Sequence, residues 1–344
     1  MFLRNSWYVA GWSKDLIEQP TRILLLEEPV VLFRGEDGQV GALRDHCPHR
    51  HAPLSMGQIQ GDGLQCGYHG LVFGRSGACI KVPSQDAIPS KLCVKAYPVV
   101  ERFGWIWVWM GDVDAADPKL IPDFGQLTDP HYAAVGKTNY TRSAYRLVTD
   151  NLMDLSHAAF VHPTTIGNPQ FAENAEMSVR RTDEGLRVQR LVCDVPPPPT
   201  YVKSGRLPVG KNIDRWQIID FIAPCFVKIH VGGAEAGTGA AEGRYAHGLN
   251  LWVLNAMTPE TATTTHYFWA SIRSHSLGDP EVDELFFNQI SEAFEEDRRM
   301  LEAQQQELAD GEDSWSFALN ADAGSIQARR ILDRLIAREA GAEH

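Results

Sequence analysis

Short apolar runs alternate with turn residues through the first third of the chain. The strand-length runs lie at 22–26, 30–34, 40–44, 64–66 and 105–110, and glycine-rich turns separate them at 35–38, 61–63 and 74–77. Runs of this length bounded by Gly and Asp predict β-strands joined by tight turns. In the last run Trp105, Trp107 and Trp109 alternate with other apolar residues, so that strand is expected at the centre of a sheet. Residues 1–112 are therefore predicted to form a small all-β domain.

Longer elements follow an Asp- and Ala-rich segment at 111–122, which has the composition of a linker. Helical spacing of apolar residues extends over 145–162, 281–309 and 326–339, and strand patterns cover 175–193, 215–233 and 249–273, the last with a turn near Thr258 and Pro259. Residues 113–344 are therefore predicted to form an α+β domain with helices on a predominantly antiparallel sheet.

Composition excludes several classes of protein. The hydrophobic content of 44% and charged content of 22% are typical of globular proteins. The net charge of −12 argues against a phosphate-backbone partner, because such binding is largely cationic. Apolar runs fall far short of the ~18 residues that span a membrane, and the amino terminus lacks a signal-peptide pattern. The six cysteines are too scattered for a disulfide framework, so we expect a cytoplasmic protein.

Two cysteines and two histidines form the first chemical constellation. Cys47-Pro-His49 is followed, after sixteen intervening residues, by Cys66-Gly-Tyr-His69, so that each loop offers one sulfur and one nitrogen. A Cys2His2 zinc site is the competing interpretation, but zinc sites usually pair like ligands within one loop. In a Rieske [2Fe–2S] centre one iron takes both thiolates and the other both imidazoles. Two facing loops of mixed ligands favour the Rieske centre.

A second constellation lies in the helical segment 145–162. Asp150, Asp154 and His157 follow helical spacing and are expected to share one face. His162 lies about 140° around an ideal helix from His157, so one metal ion reaches both imidazoles only if the helix ends or distorts there. Pro163 disfavours helix at His162 and supplies that ending. The alternative is a pair of hydrogen-bonded core histidines.

The third candidate ligand lies in the long predicted helix. Its apolar stripe comprises Phe286, Ile290, Ala293, Phe294, Leu301 and Leu308. Asp297 falls inside this stripe, whereas Glu295, Glu296, Arg298 and Arg299 are expected on the solvated side. A carboxylate in a core must be paired or bind a metal, so Asp297 either pairs with a buried arginine or completes a two-histidine, one-carboxylate site. That ligand set with open positions is typical of iron that activates O2.

Together the two constellations resemble the Rieske non-haem iron oxygenases, almost from end to end. The matching segments are 5–10, 47–50, 66–71, 105–109, 150–155, 214–217, 267–269, 296–297 and 320–324. The resemblance implies a Rieske domain followed by a helix-grip (START-like) catalytic domain with one mononuclear Fe(II). The carboxy-terminal segments resemble the O-demethylase branch of the family.

The resemblance also implies partners and further site residues. It implies a homotrimer in which the cluster of one subunit faces the iron of the next, with Asp154 bridging His69 of one chain and His157 of its neighbour. Asn151 matches a neighbour of the iron. The expected partner is a reductase that carries flavin and a ferredoxin-type cluster and takes electrons from NADH. Because the chain is acidic, we expect a basic docking face on that reductase.

The chemistry implied is hydroxylation of an aryl methoxy carbon by O2, after which the product collapses to a phenol and formaldehyde. The leading expectation is conversion of vanillate to protocatechuate, with His230 and Asn255 as candidate contacts of an aromatic carboxylate substrate. The same chemistry on a chlorinated methoxybenzoate or on the methyl group of toluenesulfonate is an alternative. A Rieske electron carrier without catalysis is another, and it predicts no mononuclear iron.

Overall fold

The structure is a computed structural model that describes residues 1–169, 173, 175–183, 185–204, 206–207, 210–309 and 317–342. The chain divides into two compact units. The first comprises Met1–Asp123 and Thr258–Ala262, and the second comprises Phe124–Met257 and Thr263–His344. The predicted domain boundary after residue 112 stays a prediction.

Small antiparallel sheets make up the first unit. Its strands are β1 (Trp7–Trp12), β2 (Thr21–Leu25), β3 (Glu28–Arg34), β4 (Val40–Arg44), β5 (Gln58–Gln60), β6 (Gly63–Gln65), β7 (Val72–Phe73), β8 (Cys79–Lys81), β9 (Val99–Arg102) and β10 (Trp105–Trp109). They form sheets of order β1-β10-β9, β2-β3-β4 and β5-β6-β7-β8. The predicted all-β architecture is confirmed.

Strand β10 is the central strand of its sheet, and all five of its residues are buried. Trp7 and Trp12 of β1 meet Trp109 and Trp105 edge to face, each pair with ring centroids 5.5 Å apart. The Nε1–H of Trp107 donates to the carbonyl of Arg102 at 3.0 Å. The aromatic alternation therefore builds a packed core, in which a buried indole N–H finds an acceptor.

The second unit contains a seven-stranded sheet among its described residues. The strands are β11 (Ala133–Thr141), β12 (Glu176–Arg181), β13 (Gly185–Val195), β14 (Ile213–Ile222), β15 (Phe226–Glu235), β16 (Leu249–Pro259) and β17 (Thr265–Arg273). The helices are α1 (Tyr145–Met153), α2 (Ala158–Val161), α3 (Pro199–Lys203), α4 (Pro280–Ala309) and α5 (Ala323–Ala342). The sheet order is β11-β17-β16-β15-β14-β13-β12, and the pairs from β12 to β16 are antiparallel hairpin neighbours.

The helices lie on the sheet. Helix α4 packs against β11 and β17, α5 packs against β13, and α1 contacts both helices. Asp279 caps α4 by accepting from the backbone amides of Glu281 and Val282 at 3.1 and 3.3 Å, with Pro280 as the first helical residue. This is the arrangement expected at a helix start, because Pro lacks the amide hydrogen that would be unsatisfied there.

The predicted α+β architecture is confirmed, with differences in detail. Strands β1, β5, β7, β8, β9 and β11 were not predicted. Leu308, placed in the apolar stripe of α4, is 39% exposed. The helix predicted at 145–162 is interrupted after Met153, so Asp150 and Asp154 do not continue one face. No helix in the described ranges is long and apolar enough to cross a lipid bilayer.

An ion pair joins α1 to α5. Arg329 donates from Nε to both carboxylate oxygens of Asp150, at 2.9 and 2.8 Å, and the Asp150 side chain is only 11% exposed. Burial raises the pKa of Asp150, and the arginine opposes that rise. Asp150 is therefore a structural residue whose charge depends on Arg329.

Replacing Arg329 by Met should destabilise the fold by about 3 kcal/mol, because it leaves a buried carboxylate without its cation. Urea unfolding monitored by circular dichroism measures this change. Arg330→Met, at an exposed position of the same helix, is the matched control and should cost less than about 0.5 kcal/mol. Equal losses for the two variants would contradict the role assigned to the ion pair.

Candidate metal centres and substrate pocket

The two Cys-and-His loops of the first unit have the same backbone hydrogen bonds. The amide of each cysteine, Cys47 and Cys66, donates to the carbonyl five residues on, at 2.9 and 2.7 Å. The carbonyl of each accepts from the amide four residues on, at 2.9 and 3.1 Å. That fourth residue has a positive φ in both loops, 61° at His51 and 72° at Gly70. The loops thus share one turn conformation, although the histidine follows the cysteine by two residues in the first loop and by three in the second.

Burial separates the two kinds of ligand. Cys47 and Cys66 are 1% and 2% exposed and belong to the core of the unit, whereas His49 and His69 are exposed. The imidazole rings of His49 and His69 lie 4.6 Å apart between centroids. Burial, with a smaller contribution from the adjacent Cys66 thiol, raises the pKa of the Cys47 thiol. Two inner sulfurs and two outer nitrogens fit a cluster with one iron ligated by each pair.

The second constellation lies where α1 breaks down. Helix α1 ends at Met153, and Asp154 adopts an extended conformation with φ −126° and ψ 95°. A 3-10 turn, Leu155–His157, then leads into the single turn of α2. Helix α2 stops at His162, which has φ −119° and ψ 47° and precedes Pro163. The expected helix ending is present, and the additional break at Asp154 also turns the segment.

These breaks bring two imidazoles to one carboxylate. Nε2 of His157 lies 3.4 Å from Oδ1 of Asp297, and Nε2 of His162 lies 3.1 Å from the same oxygen. The ligand atoms of the three residues lie within 4.8 Å of one another. His162 is fully buried and Asp297 is 5% exposed. The structure thus assembles a two-histidine, one-carboxylate group from residues far apart in sequence.

Hydrogen bonds at the far side of each ring fix how the imidazoles are presented. Nδ1 of His157 donates to the backbone carbonyl of Asp154 at 2.7 Å, and Nδ1 of His162 donates to Oε2 of Glu296 at 2.8 Å. Because these partners are acceptors, each neutral ring carries its hydrogen on Nδ1 and turns the lone pair of Nε2 toward Asp297. Three electron-pair donors facing one another in a buried space fit a bound cation.

The carboxylate of Asp297 is held charged. Burial opposes ionisation, but hydrogen bonds from the imidazoles of His157 and His162, which require a proton on Nε2, outweigh it and keep the pKa of Asp297 well below its usual value. Nδ2 of Asn151 donates to Oδ1 of Asp297 at 3.0 Å. Among the described residues, the partners of Asp297 are Asn151 and the two imidazoles rather than a buried arginine. Asn151 instead fixes the orientation of the carboxylate.

Two acidic residues differ from their sequence-based description. Glu296 was predicted on the solvated side of α4, but its carboxylate accepts from His162, and its side chain is 25% exposed. Glu296 and Asp297 are consecutive residues of α4, and they contact Nδ1 and Nε2 of the same imidazole. The carboxylate of Asp154 accepts from the amide and hydroxyl of Ser156 at 2.9 and 2.8 Å. Asp154 thereby caps the turn that carries His157.

A pocket opens beside the three candidate ligands. The empty space between its lining residues, which includes open solvent, is about 740 Å³. Its walls are mostly apolar and include Leu152, Ile229, Val231, Leu251, Val253 and Phe294. The strand residues that line it are odd-numbered members of β14 to β17, so one face of the sheet forms its floor. Asp297, His157 and His162 form part of the same lining.

His230 and Asn255 are not among the residues that line this pocket. His230 alternates with Ile229 and Val231, so its ring lies on the opposite face of the sheet, stacked on Trp252 with centroids 5.0 Å apart. Burial lowers the pKa of His230. Asn255 is fully buried, accepts from the hydroxyl of Tyr267 at 2.8 Å and donates to two backbone carbonyls. Both have structural partners, and the substrate contact expected of His230 lies on the wrong face for this pocket.

Several polar residues of the pocket were not singled out from the sequence. Arg215, Gln217 and Ser271 line it from the sheet, and Thr200 and Tyr201 line it from α3. Arg215 and Gln217 flank Trp216, and strand alternation places both on the face opposite that tryptophan. Polar residues at alternate positions of a buried strand were the available signal, but only the tertiary structure shows that their face forms the pocket.

Comparisons with known proteins agree with this geometry. Two family models match, the Rieske [2Fe-2S] domain over residues 6–98 and the vanillate O-demethylase oxygenase C-terminal domain over residues 141–338. A putative toluene-4-sulfonate monooxygenase system iron-sulfur subunit of Comamonas testosteroni is 38% identical over 99% of each chain. A vanillate O-demethylase oxygenase subunit of Pseudomonas sp. (strain HR199 / DSM 7063) is 37% identical over 98% of this chain and 96% of the relative.

Solved structures extend the similarity to the whole fold. The crystal structure of dicamba monooxygenase bound to dicamba has a TM-score of 0.92 at 34% identity and covers 99% of each chain. The structure of that enzyme with non-heme iron and dicamba has a TM-score of 0.86 at 33% identity, again over 99% of each chain. Fold and sites together define an iron-dependent oxygenase. The chain belongs to the Rieske non-haem iron oxygenases of the vanillate O-demethylase family.

Membership of this family decides between the alternatives for the first site. The chain is the oxygenase component of a Rieske monooxygenase system, and its cofactors are a Rieske [2Fe–2S] cluster and a mononuclear iron, with O2 as co-substrate and NADH as the electron source through a reductase. The Rieske prediction is therefore confirmed over the zinc alternative.

Replacing Glu296 by Gln should weaken iron binding by about 10- to 100-fold at the candidate site formed by His157, His162 and Asp297, because outer hydrogen-bond partners orient metal-ligating imidazoles. Competition with an Fe(II) chelator measures the affinity, and the visible spectrum of the [2Fe–2S] cluster should not change. Glu295→Gln, at a residue paired with Arg298 and Arg299, is the control. Unchanged iron affinity in Glu296→Gln would contradict the orienting role.

Proposed function

We propose that the chain catalyses O-demethylation of an aromatic acid, with vanillate to protocatechuate as the leading reaction. The main support for the proposal is a single pocket whose lining combines apolar side chains with His157, His162 and Asp297. The relative named as a vanillate O-demethylase oxygenase subunit supports the substrate class. An apolar slot suits an aromatic ring, and the candidate ligands at its wall put a methyl substituent within reach of bound iron.

The residues proposed to hold the metals follow from their geometry. Cys47 and Cys66 would ligate one iron of the cluster, and His49 and His69 the other. The third iron would bind between His157, His162 and Asp297, where, when present, it supplies activation of O2 with electrons received one at a time from the cluster. Asn151 holds the Asp297 carboxylate by its hydrogen bond. Glu296 and the Asp154 carbonyl hold the two rings.

The overall reaction balances without a further reactant. One atom of O2 enters a C–H bond of the methoxy methyl group, the other leaves as water, and NADH supplies the two electrons. The hydroxylated carbon is a hemiacetal, which loses formaldehyde and leaves the phenol. The apolar walls, which include Leu251 and Phe294, would exclude water and hold the ring with its methoxy group toward the iron site.

The proposal includes an assembly. We propose a homotrimer in which Asp154 bridges His69 of a neighbouring subunit and His157 of its own chain. The exposure of His69 and the partial exposure of Asp154 support this arrangement. A cytoplasmic flavin and iron–sulfur reductase would deliver the electrons. The acidic balance of the chain, −12, favours a basic docking face on that reductase.

An aerobic turnover assay with a surrogate reductase and NADH, over a panel of methoxybenzoates, tests the reaction. Demethylation releases formaldehyde in a one-to-one ratio with the phenol, and we expect 4-hydroxy-3-methoxybenzoate among the substrates that do so. The panel includes a chlorinated methoxybenzoate, which is an alternative substrate. It also includes toluene-4-sulfonate, because a relative at 38% identity is named for that compound. A ring diol as the main product, or a benzylic alcohol formed only from the sulfonate, would contradict demethylation.

His162→Ala should reduce formaldehyde release by at least about 10³-fold and leave the visible spectrum of the cluster intact, because the two metal sites use separate ligands. Iron analysis should fall from three to about two irons per chain. His275→Ala, at a histidine outside the described site, is a control that should keep all three. Activity that survives in His162→Ala would overturn the assignment of the mononuclear site.

A further inference from the structure

Among the strand residues that line the pocket, Arg215 is the one with a charged side chain. Arg215 and Gln217 are each only 3% exposed, and both line the pocket from β14. Their neighbours in register on β15 are Gly233 and Val231. Gly233 has no side chain to cover the flank of Arg215, and Val231 continues the aliphatic floor. A cationic group and an amide therefore belong to the lining of a mostly apolar cavity.

Arg215 brings a full positive charge to that lining. Its Nη2 donates to the carbonyl of Ile166 at 3.0 Å, and its guanidinium carbon lies 5.3 Å from the centroid of the Tyr201 ring. Burial lowers the pKa of the Arg215 guanidinium, but an arginine stays protonated at neutral pH in proteins. Keeping a cation in a buried wall costs solvation energy, which an anionic ligand offsets. A planar guanidinium matches a carboxylate or sulfonate with two parallel hydrogen bonds.

Gln217 offers a different contact. Its amide oxygen Oε1 is buried and has no hydrogen-bond partner among the described residues. A buried amide oxygen left unpaired costs free energy, so a donor from the ligand would be favourable there. A ligand hydroxyl supplies such a donor. Because Arg215 and Gln217 are two residues apart on one strand, their α-carbons are about 7 Å apart, a span comparable with that between opposite substituents of a benzene ring.

We propose that Arg215 binds the anionic group of the substrate and Gln217 accepts a hydrogen bond from its ring hydroxyl, so that the pocket selects hydroxylated aromatic acids. This proposal rests on the proposed function for the reaction itself. Binding of the anionic group by Arg215 and of the hydroxyl by Gln217 is nevertheless a separate property of the pocket. In this binding mode the substituent beside the hydroxyl lies in the same cavity as the candidate iron ligands. Neutral aromatic ethers lack the first contact, and aromatic acids without a hydroxyl lack the second.

Equilibrium binding to the holoenzyme without O2 tests the proposal. The probes are 4-hydroxy-3-methoxybenzoate, its methyl ester and 3-methoxybenzoate, measured by calorimetry. The wild-type chain should bind the hydroxylated acid about 10- to 100-fold more tightly than the ester and about 5- to 10-fold more tightly than 3-methoxybenzoate, as expected for one charged and one neutral hydrogen-bonded contact. Equal affinities for acid and ester, or no binding of the acid, would overturn the proposal.

Variants separate the two contacts. Arg215→Gln should abolish the preference for acid over ester, Arg215→Lys should retain part of it, and Gln217→Met should abolish only the preference for the hydroxyl. Arg187→Gln removes a cation that is paired with Asp220 on the opposite face of the sheet, and should change neither preference. The melting temperature and the cluster spectrum monitor folding, and Arg215→Lys keeps the charge if Arg215→Gln fails to fold. An acid preference that persists undiminished in either Arg215 variant would overturn the assignment.

The same samples distinguish this proposal from the proposed reaction. Acid binding that depends on Arg215, without release of formaldehyde in the presence of O2 and reductase, would refute demethylation and leave the recognition pair in place. Formaldehyde release with an acid preference independent of Arg215 would refute the recognition pair and leave demethylation in place.

Discussion

The structure of the catalytic unit depends on holding three electron-pair donors against one another in a buried space. Oδ1 of Asp297 lies 3.4 Å from Nε2 of His157 and 3.1 Å from Nε2 of His162. Such an arrangement repels itself unless a proton or a metal ion lies between the donors. The surrounding hydrogen bonds, from Asn151 and to Glu296 and the Asp154 carbonyl, keep the donors in place. The local fold therefore suits a proton or a bound metal ion between the three donors.

That constraint explains the irregular backbone of the segment 145–162. A continuous helix would direct His157 and His162 about 140° apart. The chain instead breaks at Asp154 and again at His162, and the first break is capped by the Asp154 side chain. The Pro163 signal was visible in the sequence, and it predicted the second break. The break at Asp154 was not predicted. The sequence around Asp154 fits the interior of a helix as well as a capped turn, and only the tertiary contacts distinguish the two.

Sequence reasoning was strongest where spacing alone determines chemistry. The mixed Cys-and-His loops, the two histidines and Asp297 in an apolar stripe were singled out because each departs from an ordinary pattern, and the structure brings His157, His162 and Asp297 together. Sequence reasoning was weakest for pocket-lining residues, because their identification depends on which face of a strand meets the pocket. His230 was selected as a polar residue near the expected site, yet it lies on the opposite face from Ile229 and Val231. Arg215 and Gln217 occupy the facing side, and no property of β14 by itself identifies that side as the pocket floor. Glu296 was missed because an exposed-looking position on a helix can still reach the far side of a buried ring.

The central claim is that the chain holds three irons at two sites of different chemistry. Anomalous diffraction at the iron absorption edge, from crystals of the holoenzyme, tests it most directly. The account predicts three iron peaks per chain, two between the loops that carry Cys47, His49, Cys66 and His69, and one bounded by His157, His162 and Asp297. A single peak at the first site, or a third iron bound by any other residues, would contradict it.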